Sequence, residues 1–209
     1  TCVGCMNCFG QLMRYDRPVT CTVNPELSKE YLYTDLNKLM AKTGDNKKIV
    51  VVGAGPSGSE AAIVLAKRGY DVTVFDKNEG PGGAIRLGAM PPFKFYFNDY
   101  IIMLEKTMEE HGVDLRFNEE ATVEKIKELD PYGVVVAVGG EPAALDIEGL
   151  DSKKLVGYED ILSEKLDFAD KNILVIGGGE TGLETGEFLV DRNNKVTIVE
   201  MLDEVGKEL

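Results

Sequence analysis

Ile49 to Val52 are four apolar residues in a row, bounded by a polar linker before and glycines after. A run that short predicts a strand buried on both faces, as in the middle of a parallel sheet. The stretch KIVVVGAGPSGSEAAIVLAKRGYDVTVFD then reads as strand, glycine turn, helix and second strand. The same order returns in KNILVIGGGETGLETGEFLVDRNNKVTIVE, where Ile173 to Ile176 form the strand. Between the two units, Asn98 to Glu110 carry Ile101, Leu104 and Met108 at helical spacing, and VDLRF and GVVVAVGG predict two more strands. Ahead of them a polar stretch predicts one helix at about Glu26 to Met40, followed by a Gly-Asp-Asn-Lys-Lys linker that marks the first domain boundary. The predicted class is α/β. It comprises a Rossmann-like domain over 48–170, the start of a second Rossmann-like domain over 171–209, and a cysteine-rich segment with its linker over 1–47.

Composition limits the partners. The chain has 209 residues, is 44% hydrophobic, and balances 23 Lys and Arg against 36 Asp and Glu for a net charge of −13. Nucleic acid and anionic membranes both need basic patches, so neither is expected as a partner. No run of 18 apolar residues and no basic-then-apolar leader occurs, which predicts a cytoplasmic protein. A chain that begins at Thr1, one residue before a cysteine motif and without Met, reads as part of something longer.

The glycines carry the first chemistry. Gly53, Gly55 and Gly58 supply a tight turn, bare backbone beside a pyrophosphate, and a close helix–strand contact, with Pro56 and Ser57 opening the helix. The unpaired amides and positive end of that helix make a natural seat for a diphosphate. Asp76 ends the second strand, one helix and one strand beyond Gly58, where an acid hydrogen-bonds a ribose hydroxyl, and Lys77 follows it. In the second unit Gly177, Gly179 and Gly182 repeat the turn, with Glu180 and Thr181 opening the helix and Glu200 standing as far beyond Gly182 as Asp76 stands beyond Gly58. Two such turns in tandem are the pattern of a chain that binds FAD first and a nicotinamide cofactor second. Glu200 also favours NADH over NADPH, because a carboxylate about 4 Å from a 2′-phosphate at an effective dielectric near 20 discriminates by nearly a thousandfold. Glycines that serve packing alone are the plainer explanation, which the flanking strand, helix and acid argue against.

All four cysteines stand near the front, as C-x2-C-x2-C-x12-C at Cys2, Cys5, Cys8 and Cys21. A disulfide framework suits small secreted domains without a core. Zinc usually takes two C-x2-C pairs across a longer loop. Three bunched thiols and a remote fourth match many ferredoxin-type iron–sulfur sites, and Gly4 and Gly10 let amides approach the sulfurs. Zinc and free thiols stay open on spacing alone. The only histidine, His111, falls in a helix's last turn before Gly112, where capping of carbonyls is a better reading than catalysis. Met90, Met103 and Met108 read as packing, and the charge runs Glu105 to Glu110 and Glu124 to Asp130 as solvated helix faces.

CVGCMNCFG, RPVTCTVNP and VVGAGPSGSEAA together closely resemble the C-terminal region of the iron–sulfur NADH:flavin oxidoreductases. That family includes 2-enoate reductases, 2,4-dienoyl-CoA reductase and trimethylamine dehydrogenase. The resemblance covers essentially the whole chain. It implies that Cys2, Cys5, Cys8 and Cys21 hold a 4Fe-4S cluster. It also implies that Gly53, Gly55, Gly58 and Asp76 bind the ADP half of FAD, and that Gly82 and Gly83, from the loop NEGPGGAIRLGAMPPFKF, lie beside the flavin chain. Arg86, Ala137 and Gly139 complete the candidate flavin residues. Where relatives usually read A-T-G, this chain has Ala137, Val138 and Gly139, so a hydroxyl is missing.

The resemblance further implies a TIM barrel carrying FMN, which is absent from this sequence, and a second Rossmann-like unit that is cut short. The implied parent activity runs from NADH through FAD and the cluster to FMN, which reduces an enoate-type carbon–carbon double bond. The 209 residues alone are not expected to act on that final substrate. Two rivals stay in view: an electron-transfer subunit of the glutamate synthase type, and a nucleotide-binding redox sensor with a four-cysteine zinc site. Homo-oligomerisation is left open. In hydrogen exchange, Ile49 to Val52 and Val134 to Val138 should be slow and Val196 to Val199 fast, because the second unit lacks partner strands.

Overall fold

The computed structural model describes residues 2–33, 41–142, 147–148 and 154–207. They fall into two compact units, Thr1–Ile85 with Tyr96–Gly139 and Arg86–Phe95 with Gly140–Leu209.

The first unit is built on a parallel sheet of order β3-β2-β1-β4, with β1 Lys48–Val52, β2 Asp71–Phe75, β3 Asp114–Arg116 and β4 Gly133–Val136. Before it come α1 (Asn7–Tyr15) and a four-residue helix α2 (Glu30–Tyr33). Helix α3 (Pro56–Lys67) joins β1 to β2, and α5 (Tyr96–Glu110) precedes β3. Ile49, Val51, Val72 and Val74 meet Ala62 and Ile63 of α3 and Tyr100, Leu104 and Met108 of α5 in one core. Val50 and Thr73 are fully buried as well, so β1 and β2 are covered on both faces as their apolar run predicts. Edge strand β4 alternates, leaving Val134 and Val136 exposed. Helix α6 (Val123–Glu128) runs between β3 and β4, its N-terminus capped by the Thr122 hydroxyl, which accepts the Lys125 N–H.

Several local expectations change. The predicted Glu26–Met40 helix begins only at Glu30, because the Asn24 side chain and carbonyl accept the N–H groups of Glu26 and Leu27 and hold a turn through Ser28 at φ 63°. Residues 34–40 of that prediction lie outside the described residues. The predicted helix from Asn98 starts two residues earlier, at Tyr96, and Phe97 packs against the core. Ile101, placed on the apolar stripe, is half-buried, and Tyr100 takes its place in the core. The Gly-Asp-Asn-Lys-Lys linker is strapped down: Thr43 and Gly44 donate their amides to the Arg68 carbonyl beyond α3. His111 stands exposed just past α5, and Gly112 at φ 71° ends the helix there.

A short helix α4 (Ala84–Gly88) follows the Gly82–Gly83 loop. The second unit holds a two-stranded parallel sheet, β5 (Asn172–Ile176) with β6 (Lys195–Val199), joined by α8 (Glu180–Val190). Its core gathers Phe188 and Leu189 of α8, Ile161 and Leu162 of α7 (Tyr158–Leu162), and Leu87 and Met90. Leu174, Ile176 and Val199 on one face of the sheet are exposed. Asn194 staples the unit's turns: its amide donates to the carbonyls of Phe168 and Leu189, and its oxygen accepts the Lys171 N–H.

Candidate functional site

Both glycine turns fold alike. Gly53 and Gly177 adopt φ of 97° and 104°, a left-handed geometry that side chains resist. The third glycines are sterically obligatory, since a Cβ at Gly58 would lie 1.9 Å from the Gly53 oxygen and one at Gly182 would lie 2.0 Å from the Gly177 oxygen. The middle glycines, Gly55 and Gly179, face open space, with no heavy atom within 4 Å of where a methyl would stand. Each caps its helix without a side-chain hydrogen bond, so the first-turn amides of α3 and α8 remain available. Closed on the strand side and open at the helix end, each turn fits a dinucleotide diphosphate.

The acids at the strand ends do more than the sequence reading gave them. Asp76 is buried, and its Oδ2 accepts the Ala54 N–H at 2.7 Å while Oδ1 accepts both the main-chain and side-chain N–H groups of Asn78. Glu200 repeats this: Oε2 accepts the Gly178 N–H at 2.7 Å and Oε1 the Leu202 N–H at 3.0 Å. Each acid therefore ties the end of one strand to the glycine turn of its neighbour, and a ribose hydroxyl would be a further donor to an oriented carboxylate. The N–H groups of Leu202 and Gly178 hold the Glu200 carboxyl below the usual carboxylate range, so its charge and these bonds persist into more acidic solution than an ordinary glutamate's and are lost only as acid titrates it there. Glu200 is half-exposed, so solvent and salt would screen any repulsion between it and a 2′-phosphate placed beside it.

Beside the first turn the structure brings Gly82, Gly83 and Ala137. Gly82 donates its N–H to the Ala54 carbonyl at 2.8 Å, and a Cβ at Gly83 would come within 3.1 Å of the Gly55 Cα. Ala137 continues the β4 ladder, donating to the Val52 carbonyl, and its own oxygen lies 2.3 Å from a Cβ position at Gly53. Pro56 and Ser57 form the first turn of α3, and Lys77 is exposed beyond β2. Gly139 is exposed at φ 78°, after the exposed Val138. Arg86 sits half-buried in α4, in the stretch assigned to the second unit. Glu180 and Thr181 open α8.

The cysteine segment is anchored by its valines. Val3 is 5% exposed within the core of the first unit, and Val23 packs against the same core. Burial first, then Glu60 and Cys21, pushes the Tyr100 hydroxyl up from its ordinary value, which places Cys21 near that ring. All four thiols are free; Cys2, Cys5 and Cys8 are exposed and Cys21 half-exposed. The Gly4 N–H donates to the Cys2 sulfur at 3.4 Å, and Cys5 donates to the Thr22 hydroxyl at 3.3 Å. Among the described residues no three His, Cys, Asp or Glu side chains converge on one point as a metal site, so the four sulfurs are not brought together here. Chemically, four soft thiols with an amide already donating to one of them suit an iron–sulfur cluster.

A parallel-sheet fold with two dinucleotide turns, each tied by its strand-end acid, defines a tandem nucleotide-binding oxidoreductase. The chain belongs to the pyridine nucleotide-disulphide oxidoreductase family, whose pattern matches residues 22–131 and 47–209. Membership implies FAD and a nicotinamide dinucleotide as ligands. Among relatives, an NADH oxidase of Thermoanaerobacter brockii is 34% identical across 100% of this chain and 32% of its own length. A cinnamate reductase of Clostridium sporogenes is 37% identical across 98% of this chain and 30% of its own. The solved structure of a 2-naphthoyl-CoA reductase complex superposes with a TM-score of 0.90 at 33% identity, over 100% of this chain and 31% of that one. The chain thus spans about a third of the length of these relatives, and the resemblance read from its motifs holds. Among the described residues no helix is long and apolar enough to cross a membrane.

Sequence reasoning missed Ala54, Asn78, Gly178 and Leu202 as partners of the acids. The Asp-x-Asn spelling of residues 76–78, an Asx-turn signal, was available for one of them.

Proposed function

We propose that this chain is the electron-transfer part of an NADH-dependent flavin oxidoreductase that serves an FMN-bearing barrel reducing an enoate-type carbon–carbon double bond. The observation that carries the reading is the duplicated turn, open at Gly55 and Gly179 and closed at Gly58 and Gly182, in a chain similar to a cinnamate reductase and an NADH oxidase. Gly53, Gly55, Pro56, Ser57, Gly58, Asp76, Lys77, Gly82, Gly83, Arg86, Ala137 and Gly139 would hold FAD. Gly177, Gly179, the main-chain N–H of Glu180, Thr181, Gly182 and Glu200 would hold NADH, and Cys2, Cys5, Cys8 and Cys21 a 4Fe-4S cluster. When bound, the dinucleotides supply two-electron chemistry and the cluster one-electron steps between two flavins.

The residues contribute binding and orientation. The α3 and α8 amides neutralise diphosphate charge, and Asp76 and Glu200 orient the two turns. Glu200 disfavours a 2′-phosphate. Val3 and Val23 pin the cysteine segment to the same core that α3 helps to build, which fixes the thiols beside the first dinucleotide unit. Protein prepared without oxygen should contain about four iron and four sulfide per chain. Cys21→Ser should lose most of both. Stoichiometric zinc without sulfide would instead favour the redox-sensor reading.

A further inference from the structure

Glu180 occupies the first position of α8, the place where a dinucleotide diphosphate would meet the helix, and Glu184 follows one turn later. Two carboxylates four residues apart on a helix repel one another, and both oppose an anionic ligand at that end. Opposite them stands a cation from outside the βαβ unit. The Lys94 Nζ is in direct contact with Glu184 Oε1 and lies 3.7 Å from Glu180 Oε1. Its side chain is 30% exposed and that of Glu184 25%, so solvent screens this pair less than a surface pair. Lys94 precedes the whole βαβ unit in the chain, in the Arg86–Phe95 stretch that folds as part of the second unit.

We infer that Lys94 is a binding determinant of the second dinucleotide site. It neutralises Glu180 and Glu184, keeping the end of α8 electropositive enough to accept the NADH diphosphate. The inference rests on the second turn being the NADH seat. It also gives the stretch after the Gly82–Gly83 loop a role in nicotinamide-nucleotide affinity that the βαβ sequence pattern alone does not reveal.

The test is a titration of NADH into the chain, into Lys94→Met and Lys94→Arg, and into the triple variant Lys94→Met/Glu180→Gln/Glu184→Gln, with a thermal melt of each. Lys94→Met should bind NADH about tenfold more weakly, the scale of one partly screened charge pair. Lys94→Arg should stay within about threefold of the parent, and the triple variant should recover most of the loss because the opposing carboxylates are gone. A lysine that served only packing would leave the triple variant as weak as Lys94→Met, and that result overturns the inference, as does parental affinity in Lys94→Met. A parent chain with no affinity for NADH sinks the underlying reading of the second turn and this inference with it. A parent that binds, beside an indifferent Lys94→Met, sinks the inference alone.

Discussion

Gly58→Ala should destabilise the first unit strongly even with no cofactor bound. The added methyl would stand 1.9 Å from the Gly53 oxygen and 3.2 Å from the Ala137 Cβ, so relief requires α3 to move away from β1 rather than a side chain to rotate. Overpacking against a side chain costs about 1–3 kcal/mol, and a backbone obstacle puts this substitution at about 3 kcal/mol or more. For a chain of this size each kcal/mol lowers the melting temperature by roughly 2–4 °C, so a fall of about 6–12 °C is expected by calorimetry. Gly55→Ala is the control. Its methyl enters open space, so the apo melting temperature should stay where it is. Equal melting temperatures for the two variants would mean that the turn is looser than its geometry indicates.

Asp76→Ala should be nearly as damaging, for a different reason. Ala54 has no solvent exposure, and its N–H has the Asp76 carboxylate as its acceptor at 2.7 Å. Removing the acceptor strands a buried donor, at a cost of about 2–3 kcal/mol for a bond to a charged group. The N–H groups of Asn78 lose their partner in the same step. Asp76→Asn retains a carbonyl oxygen that can face Ala54 and should keep more than half of the lost stability. Urea midpoints for the three proteins measure this. An Asp76→Ala midpoint equal to the parent's would show that the acid serves the ligand alone.

The sequence made the strands and turns plain wherever burial and covalent pattern agreed. Ile49–Val52 could be little but a central strand, and the repeat of G-x-G-x-x-G with an acid at the same spacing after each located both turns. What stayed hidden was tertiary. The start of α5 depended on Phe97 finding the core, and the late start of α2 on an Asn24 side chain outcompeting the helix. Asp76 and Glu200 were legible as acids near a ribose but not as acceptors for the amides of Ala54 and Gly178, because the pairing spans 22 residues and a sheet register. Lys94 was invisible in the sequence for the same reason, since nothing local marks a lysine whose Glu184 partner is 90 residues away. The cysteine spacing suggested a ligand set, whereas the valines that anchor the segment, Val3 and Val23, became apparent only once the core was assembled.

The claim that two equivalent turns serve two different dinucleotides is tested most directly by titrating FAD and NADH separately into Gly55→Ala and Gly179→Ala. A methyl at either position fills the space left for a diphosphate and touches nothing in the protein. Gly55→Ala should lose FAD and keep parental NADH affinity, and Gly179→Ala should lose NADH and keep FAD. NADH binding that survives Gly179→Ala unchanged, or a single substitution that abolishes both ligands, would contradict the assignment.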